Sequence, residues 1–253
     1  TGNIPLAWTL TMAVTAVIFA LITLYDMFLL PRHKADVAVK TSGRSSAGEF
    51  ARAFVTFFRK PGILAALAFM LMYRLPEALL LKMVNPFLLS PAEQGGLGLS
   101  TATVGLVYGT IGVTALTVGG IIGGMAASRW GLKKSLWPMA AFLALPCAAY
   151  VYMSMSMTHN ILVISILIAI EQFGYGFGFT AYMLYMMYFS EGEYKTSHYA
   201  ICTAFMALSM MIPGAFAGYL QEMTGYVNFF WIVMVCCIAT AGVTCLLKVD
   251  PEY

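Results

Sequence analysis

Charge is what this sequence lacks. Only 10% of its 253 residues are charged, against 60% hydrophobic, where soluble domains run nearer 25% charged. So few charges would not wet the surface of a soluble fold of this length. The mean hydropathy of +0.82 says the same. The balance excludes a soluble enzyme, a nucleic-acid binder and a disordered tail. It reads as a polytopic membrane protein whose first partner is the lipid bilayer. Cysteine is sparse too: Cys147, Cys202, Cys236, Cys237 and Cys245 all sit inside apolar runs. That excludes a secreted disulfide framework and a metal-ligand spacing, and leaves small core hydrophobes. No metal and no cofactor are called for. The three histidines, His33, His159 and His198, fall in or beside loops, which leaves no buried base for an intramembrane serine protease. The His-Glu-x-x-His of a zinc protease is absent. No basic n-region with a small-residue cleavage site follows Thr1, so no signal peptide is expected. The chain reads as a fragment or a processed product.

What is present is length in apolar runs. A bilayer core takes about 20 apolar residues per helix. Seven segments qualify: 4–30, 63–89, 101–127, 135–155, 161–189, 197–220 and 228–247. They are continuous rather than alternating, which argues for helices over barrel strands. Basic residues orient them. The 31–62 linker holds Arg32, Lys34, Lys40, Arg44, Arg52, Arg59 and Lys60. Arg129, Lys133, Lys134, Lys195 and Lys248 fall on the same side, and the opposite loops hold none. The expected topology has the N-terminus outside and the C-terminus in the cytoplasm.

The linker divides the chain. Its second part is amphipathic, with Phe50, Phe54, Phe57 and Phe58 on one helical face and Arg52 and Arg59 opposite. Such a helix is expected along the cytoplasmic membrane surface, ending at Pro61-Gly62. The plainer alternative is a basic topology anchor.

A charge at mid-bilayer costs at least ~2.5 kcal/mol on insertion scales and is a functional hypothesis by default. Segment 63–89 carries Arg74, Glu77 and Lys82, and segment 161–189 carries Glu171 followed by Gln172. Arg74 lies 11 residues beyond Ile63 and Glu171 lies 10 beyond Ile161. At 1.5 Å per residue these are about 16 and 15 Å, near the midplane of a core about 30 Å thick. Two pairings are open to Arg74, with Glu171 or with Glu77 at i,i+3. Lys82, near the outer surface, can snorkel. The site is expected to bind a small polar substrate or a proton. The alternative is a permanent ion pair that only fixes packing. Pro76 removes a backbone hydrogen bond beside the charges, and Asn85-Pro86 marks a second weak point. Gly174, Gly176 and Gly178 follow Glu171 and allow close packing or unwinding. Interrupted helices with polar groups at the midplane are a transporter pattern. Tyr73, Gln172, Tyr182 and Tyr185 are further cavity candidates, with Tyr175 on the same stripe as Tyr182 and Tyr185. Gly105/Gly109, Gly119/Gly123 and Gly120/Gly124 give segment 101–127 a close-packing surface.

That segment ends Gly124-Met-Ala-Ala-Ser128-Arg129-Trp-Gly131-Leu132-Lys133-Lys134. The stretch resembles the cytoplasmic-loop signature of the major facilitator superfamily, Gly-x-x-x-Asp-Arg-x-Gly-Arg-Lys. Gly124, Arg129, Gly131 and Lys133 stand at matching positions, while Ser128 replaces the acidic residue and Leu132 the first basic one. More narrowly, the chain resembles the AmpG-type muropeptide permeases and the related acetyl-CoA transporters. The matching stretches are Tyr73-Arg74-Leu-Pro-Glu77-Ala, Leu99-Ser-Thr-Ala-Thr-Val-Gly-Leu-Val107, Glu171-Gln172-Phe-Gly-Tyr-Gly176 and Lys195-Thr-Ser-His198-Tyr-Ala200, with His198 where the subfamily has Gln. The resemblance implies helix six (residues 1–30), the central linker (31–62) and a C-terminal six-helix bundle (63–253) of a twelve-helix fold. It further implies a missing N-terminal helical half, alternating access, and proton-driven import of sugar–peptide fragments across a bacterial inner membrane. It places Arg74/Glu77 and Glu171 on the first helix of each of two inverted repeats. A seven-helix receptor would show a retinal lysine or an Asn-Pro-x-x-Tyr turn in its last span, and residues 228–247 hold neither Lys nor Pro. A non-transporting half is the alternative within the same fold.

Overall fold

The computed structural model describes residues 4–29, 46–247 and 249. Four of the linker's basic residues (Arg32, Lys34, Lys40 and Arg44), together with His33 and Lys248, lie outside the described residues. Two compact units divide near Ser46. The first contains α1 (Ile4–Leu29), an apolar helix whose Thr9, Thr11, Thr15 and Thr23 hydroxyls donate to carbonyls one turn back. That back-bonding satisfies each hydroxyl within its own helix, as lipid surroundings require.

The second unit is also all-helical among the described residues. It runs α2 (Ser46–Phe58), α3 (Ile63–Met72), α4 (Leu75–Leu89), α5 (Thr101–Val104), a π-helical segment (Gly105–Gly112), α6 (Val113–Ala144), a 3-10 turn (Leu145–Cys147), α7 (Ala148–Ser156), α8 (Ile161–Ser190) and α9 (Lys195–Leu246). Continuous helix over Thr101–Ser156 or Lys195–Leu246, 56 and 52 residues, would reach about 80 Å at 1.5 Å per residue, far beyond one bilayer. Each is in fact two rods. Gly131 (φ 73°, ψ 164°) breaks α6, and Gly225 (φ 73°, ψ 166°) breaks α9. That conformation is open to glycine at no Cβ penalty. The breaks lie equally far beyond Thr101 and Lys195 and share one backbone geometry. The apolar segments expected at 101–127, 135–155, 197–220 and 228–247 are therefore separate rods, with a single glycine, Gly131 or Gly225, breaking each pair. Asn85-Pro86 does not interrupt α4, which continues to Leu89.

Lipid offers no hydrophobic drive for helix association, so close packing must supply it. The first rod of α6 and the helix α8 achieve this with small residues on both partners. A Cβ at Gly119 would run into the carbonyl of Phe173, and one at Gly176 into the carbonyl of Leu116. Gly174 and Gly178 do the same against the second rod of α6, at Phe142 and Met139. The glycines after Glu171 thus serve close packing, and α8 stays unbroken. The expected surface of Gly105, Gly109 and Gly124 is not used this way: a Cβ there meets nothing within 4 Å.

Two apolar cores result. One gathers Phe57, Phe69, Tyr73, Tyr182 and Met186. The other gathers Leu80, Phe87, Tyr150, Ile168 and Phe230. Arg74 and Glu77 fall between Tyr73 and Leu79, and Glu171 and Gln172 fall between Ile168 and Phe177, so the buried charges form a waist between the cores. α2 docks on the first core: Phe57 is fully buried beside Phe189 and Phe205, while Phe50 stays 68% exposed. His198 anchors it, with Nε2 3.1 Å from both the Ala53 carbonyl and Thr56 Oγ1.

Candidate functional site

The site begins with a helix break. Pro76 sits in the first turn of α4, where its missing N–H is harmless; one turn earlier, α3 ends at Met72. Arg74, between the two helices, has bridge-region dihedrals (φ −98°, ψ 11°). The break frees carbonyls in an apolar setting, and each must find a donor. Tyr182 donates its hydroxyl to the Met70 carbonyl at 2.6 Å, and Thr240 donates to the Tyr73 carbonyl at 2.9 Å. Helices α8 and α9 thereby hold the break open. Tyr73 donates in turn to the carbonyl of Gly178 at 3.1 Å.

Arg74 is released from helical register at this point. Of the two pairings open to it, the structure forms the one with Glu77. Nε donates to Oε2 at 2.8 Å and Nη2 to Oε1 at 2.6 Å, a bidentate pair. Both residues are buried. The guanidinium also donates to the Tyr175 hydroxyl at 3.1 Å and lies 4.6 Å from the Phe179 ring centre. Cation–π contact and the fork geometry both suit arginine rather than lysine.

Glu171 forms a second cluster without a cation. Its Oε2 accepts from Gln172 Nε2 at 2.9 Å and from the Tyr150 hydroxyl at 3.3 Å. Gln172 Nε2 also donates to the Tyr108 hydroxyl at 3.0 Å. Glu171, Gln172 and Tyr150 are buried, and Tyr108 is half-buried. Neutral donors can stabilise a carboxylate there, yet they leave its charge uncompensated by any ion pair among the described residues.

The sequence candidates divide accordingly. Arg74 and Glu77 meet in one cluster, Glu171 and Gln172 in the other. Tyr73 and Tyr182 do not offer free hydroxyls to a cavity. They are fully buried, and both hydroxyls are engaged by backbone carbonyls. Tyr185 lies further along α8 against Phe69, and lines a cleft of about 710 Å³ with Lys60, Ala65, Tyr188, Glu191 and Leu246. Lys60 closes one wall of it by donating to the carbonyls of Phe189 and Glu191, at 2.5 and 2.7 Å. A cavity of about 860 Å³ between α6 and α8 is lined by no charged residue. In the loop signature, Gly131 has a positive-φ conformation that only glycine readily takes, and Arg129 and Lys133 are exposed, with no bond to a helix end among the described residues. Among those residues no group of three His, Cys, Asp or Glu can hold a metal ion. Sequence reading missed Tyr108, Tyr150 and Thr240, because a hydroxyl on an apolar helix looks like packing until its partner is known.

An unbroken Glu171 helix, a broken Arg74 helix and tight glycine packing define a multi-pass all-α membrane protein with a polar waist. The chain belongs to the major facilitator superfamily, whose family profile matches residues 2–197. A Rickettsia felis protein named "Putative transporter AmpG 1" is 27% identical over 190 residues, 75% of this chain and 41% of its own length. A Rickettsia prowazekii protein named "Putative transporter AmpG 2" is 24% identical over 189 residues, 75% of this chain and 45% of its own length. The chain spans less than half the length of these curated relatives.

Proposed function

We propose that this chain is the C-terminal part of a secondary active transporter that works by alternating access. In this reading residues 63–253 are a six-helix bundle, residues 1–30 the preceding helix, and an N-terminal helical half completes the cavity. The N-terminus faces out, the C-terminus faces the cytoplasm of a bacterium, and the protein lies in the inner membrane. The cargo is a muropeptide-like or other polar small molecule, imported with protons. Family membership and the names of the relatives support transport rather than enzymatic chemistry.

The observation that carries the reading is the contrast inside the waist. Arg74 is neutralised by Glu77 three residues further along the chain, whereas Glu171 meets only neutral donors. A buried carboxylate without a cation exchanges a proton far more readily than one locked in a bidentate pair. The basic residues of the 31–62 linker support a cytoplasmic placement for it, and the cleft at Lys60 and Tyr185 then lies at the cytoplasmic mouth.

The test is uptake by the complete protein in proteoliposomes with an imposed proton gradient, using an anhydro-muropeptide as probe. Wild type is compared with Glu171→Gln and Arg74→Ala. Gradient-driven uptake by wild type, lost in both variants, is expected. Unchanged uptake in both would reduce the charges to a packing device. No uptake by wild type would end the muropeptide assignment and leave the fold standing.

A further inference from the structure

The π-helical segment Gly105–Gly112 is unusual. Such wide turns are rare and are frequent at functional positions. Here the segment follows a single α turn, Thr101–Val104, capped by Ser100, whose hydroxyl accepts from the Thr103 N–H at 3.1 Å. The wide turns place Tyr108 so that its hydroxyl accepts from Gln172 Nε2 at 3.0 Å. The same nitrogen donates to Glu171 at 2.9 Å, so one amide is shared between a tyrosine on the π segment and the waist carboxylate. Gln172 is pressed onto the segment: a Cβ at Gly112 would stand 3.2 Å from its Cγ. Gly105 and Gly109 lower the preference for regular α-helix on either side of Tyr108.

We propose that Tyr108 is a positioning residue for Glu171, acting through Gln172, and that the π segment is the backbone element that holds it there. The inference rests on the reading of Glu171 as the proton-carrying group. While Tyr108 accepts one amide hydrogen, the other is aimed at the carboxylate. If the segment relaxes to α-helix, one residue drops out of the turn, and Tyr108 swings by about 100° around the axis. The amide is then free to turn, and the carboxylate loses its nearer donor. Conversely, a change at Glu171 releases Gln172 and loosens the segment. Backbone form and carboxylate state are coupled through a single side-chain amide.

Hydrogen exchange read by mass spectrometry, on the complete protein in lipid nanodiscs, tests the link without needing a substrate. Glu171→Gln is expected to speed exchange across 105–112 by about fivefold, the scale of one lost contact in a local opening. Tyr108→Phe speeds it alone, and adding Glu171→Gln to Tyr108→Phe gives no further change. Gly105→Ala with Gly109→Ala slows exchange there by about tenfold. An equal response to Glu171→Gln with and without the Tyr108→Phe substitution, or no response in either case, overturns the proposal. Uptake measured in parallel, with the same variants in proteoliposomes, keeps the two readings apart. A wild type without gradient-driven uptake of the anhydro-muropeptide ends that substrate assignment, and uptake unchanged by Glu171→Gln refutes the proton-carrying reading, while the exchange cycle still decides whether Tyr108 reports the state of Glu171.

Discussion

Arg74 lies eleven residues past Ile63 at the start of α3, and Glu171 lies ten past Ile161 at the start of α8, yet the first charge sits at a break and the second in unbroken helix. The broken pair α3–α4 folds its cation back on Glu77, and hydroxyls from Tyr182 and Thr240 satisfy the loosened backbone. Helix α8 runs unbroken past its carboxylate, which accepts from Gln172 on α8 and from Tyr150 on α7. The lesson is that two charges at matching depth are not equivalent. One has its compensation covalently close and serves as a fixed element. The other depends on neutral donors, one of them from a neighbouring helix, and has no ion-pair partner among the described residues.

The strongest way to break this comparison is at the ion pair. Arg74→Met leaves Glu77 buried and unpaired, and a loss of about 3–5 kcal/mol is expected. Joining it with Glu77→Met should restore most of that loss, read as thermal unfolding in detergent. If the single variant is as stable as wild type, the pair is not the fixed element described above. Next in size is the packing that keeps α8 unbroken. Gly176→Leu drives a side chain into the Leu116 carbonyl, and overpacking of this kind costs about 1–3 kcal/mol. A tolerated leucine would show that α6 and α8 are not in the close contact seen.

Smaller effects sharpen the contrast. Tyr182→Phe removes the donor to the Met70 carbonyl at the break, and about 0.6–1.7 kcal/mol is expected from one interhelical bond in a bilayer. The equivalent deletion at the other cluster, Tyr150→Phe, should lie at or below the low end of that range, since its bond to Glu171 is long at 3.3 Å. Equal losses at both positions would contradict a difference in backbone demand between the two helices. Glu171→Gln closes the series. It keeps size and one acceptor, so its unfolding temperature should stay within a few degrees of wild type, in keeping with a change of under about 1 kcal/mol. A large drop would make Glu171 a structural group like Arg74.

Much of this was legible in the residues alone. Apolar run length specifies the membrane helices, because backbone polar groups in lipid must pair within a segment. The positions of Arg74, Glu77, Glu171 and Gln172 identify the polar waist, because a charge deep in an apolar run is too costly to be incidental. Pro76 marks the break, since proline cannot donate to the preceding turn. The tertiary structure decided the rest. It chose Glu77 over Glu171 as the partner of Arg74, a choice that depends on where the break points the side chain. It turned Tyr73 and Tyr182 from cavity candidates into backbone donors, because carbonyls freed in one helix are satisfied by another. It brought Tyr108 and Tyr150 to the Glu171–Gln172 cluster from other helices, and it made Gly131 and Gly225 sharp joints between rods. Spacing along a helix fixes depth and face. Which hydroxyl meets which carbonyl, and which charge is left without a counter-ion, follows only from how the helices pack against one another.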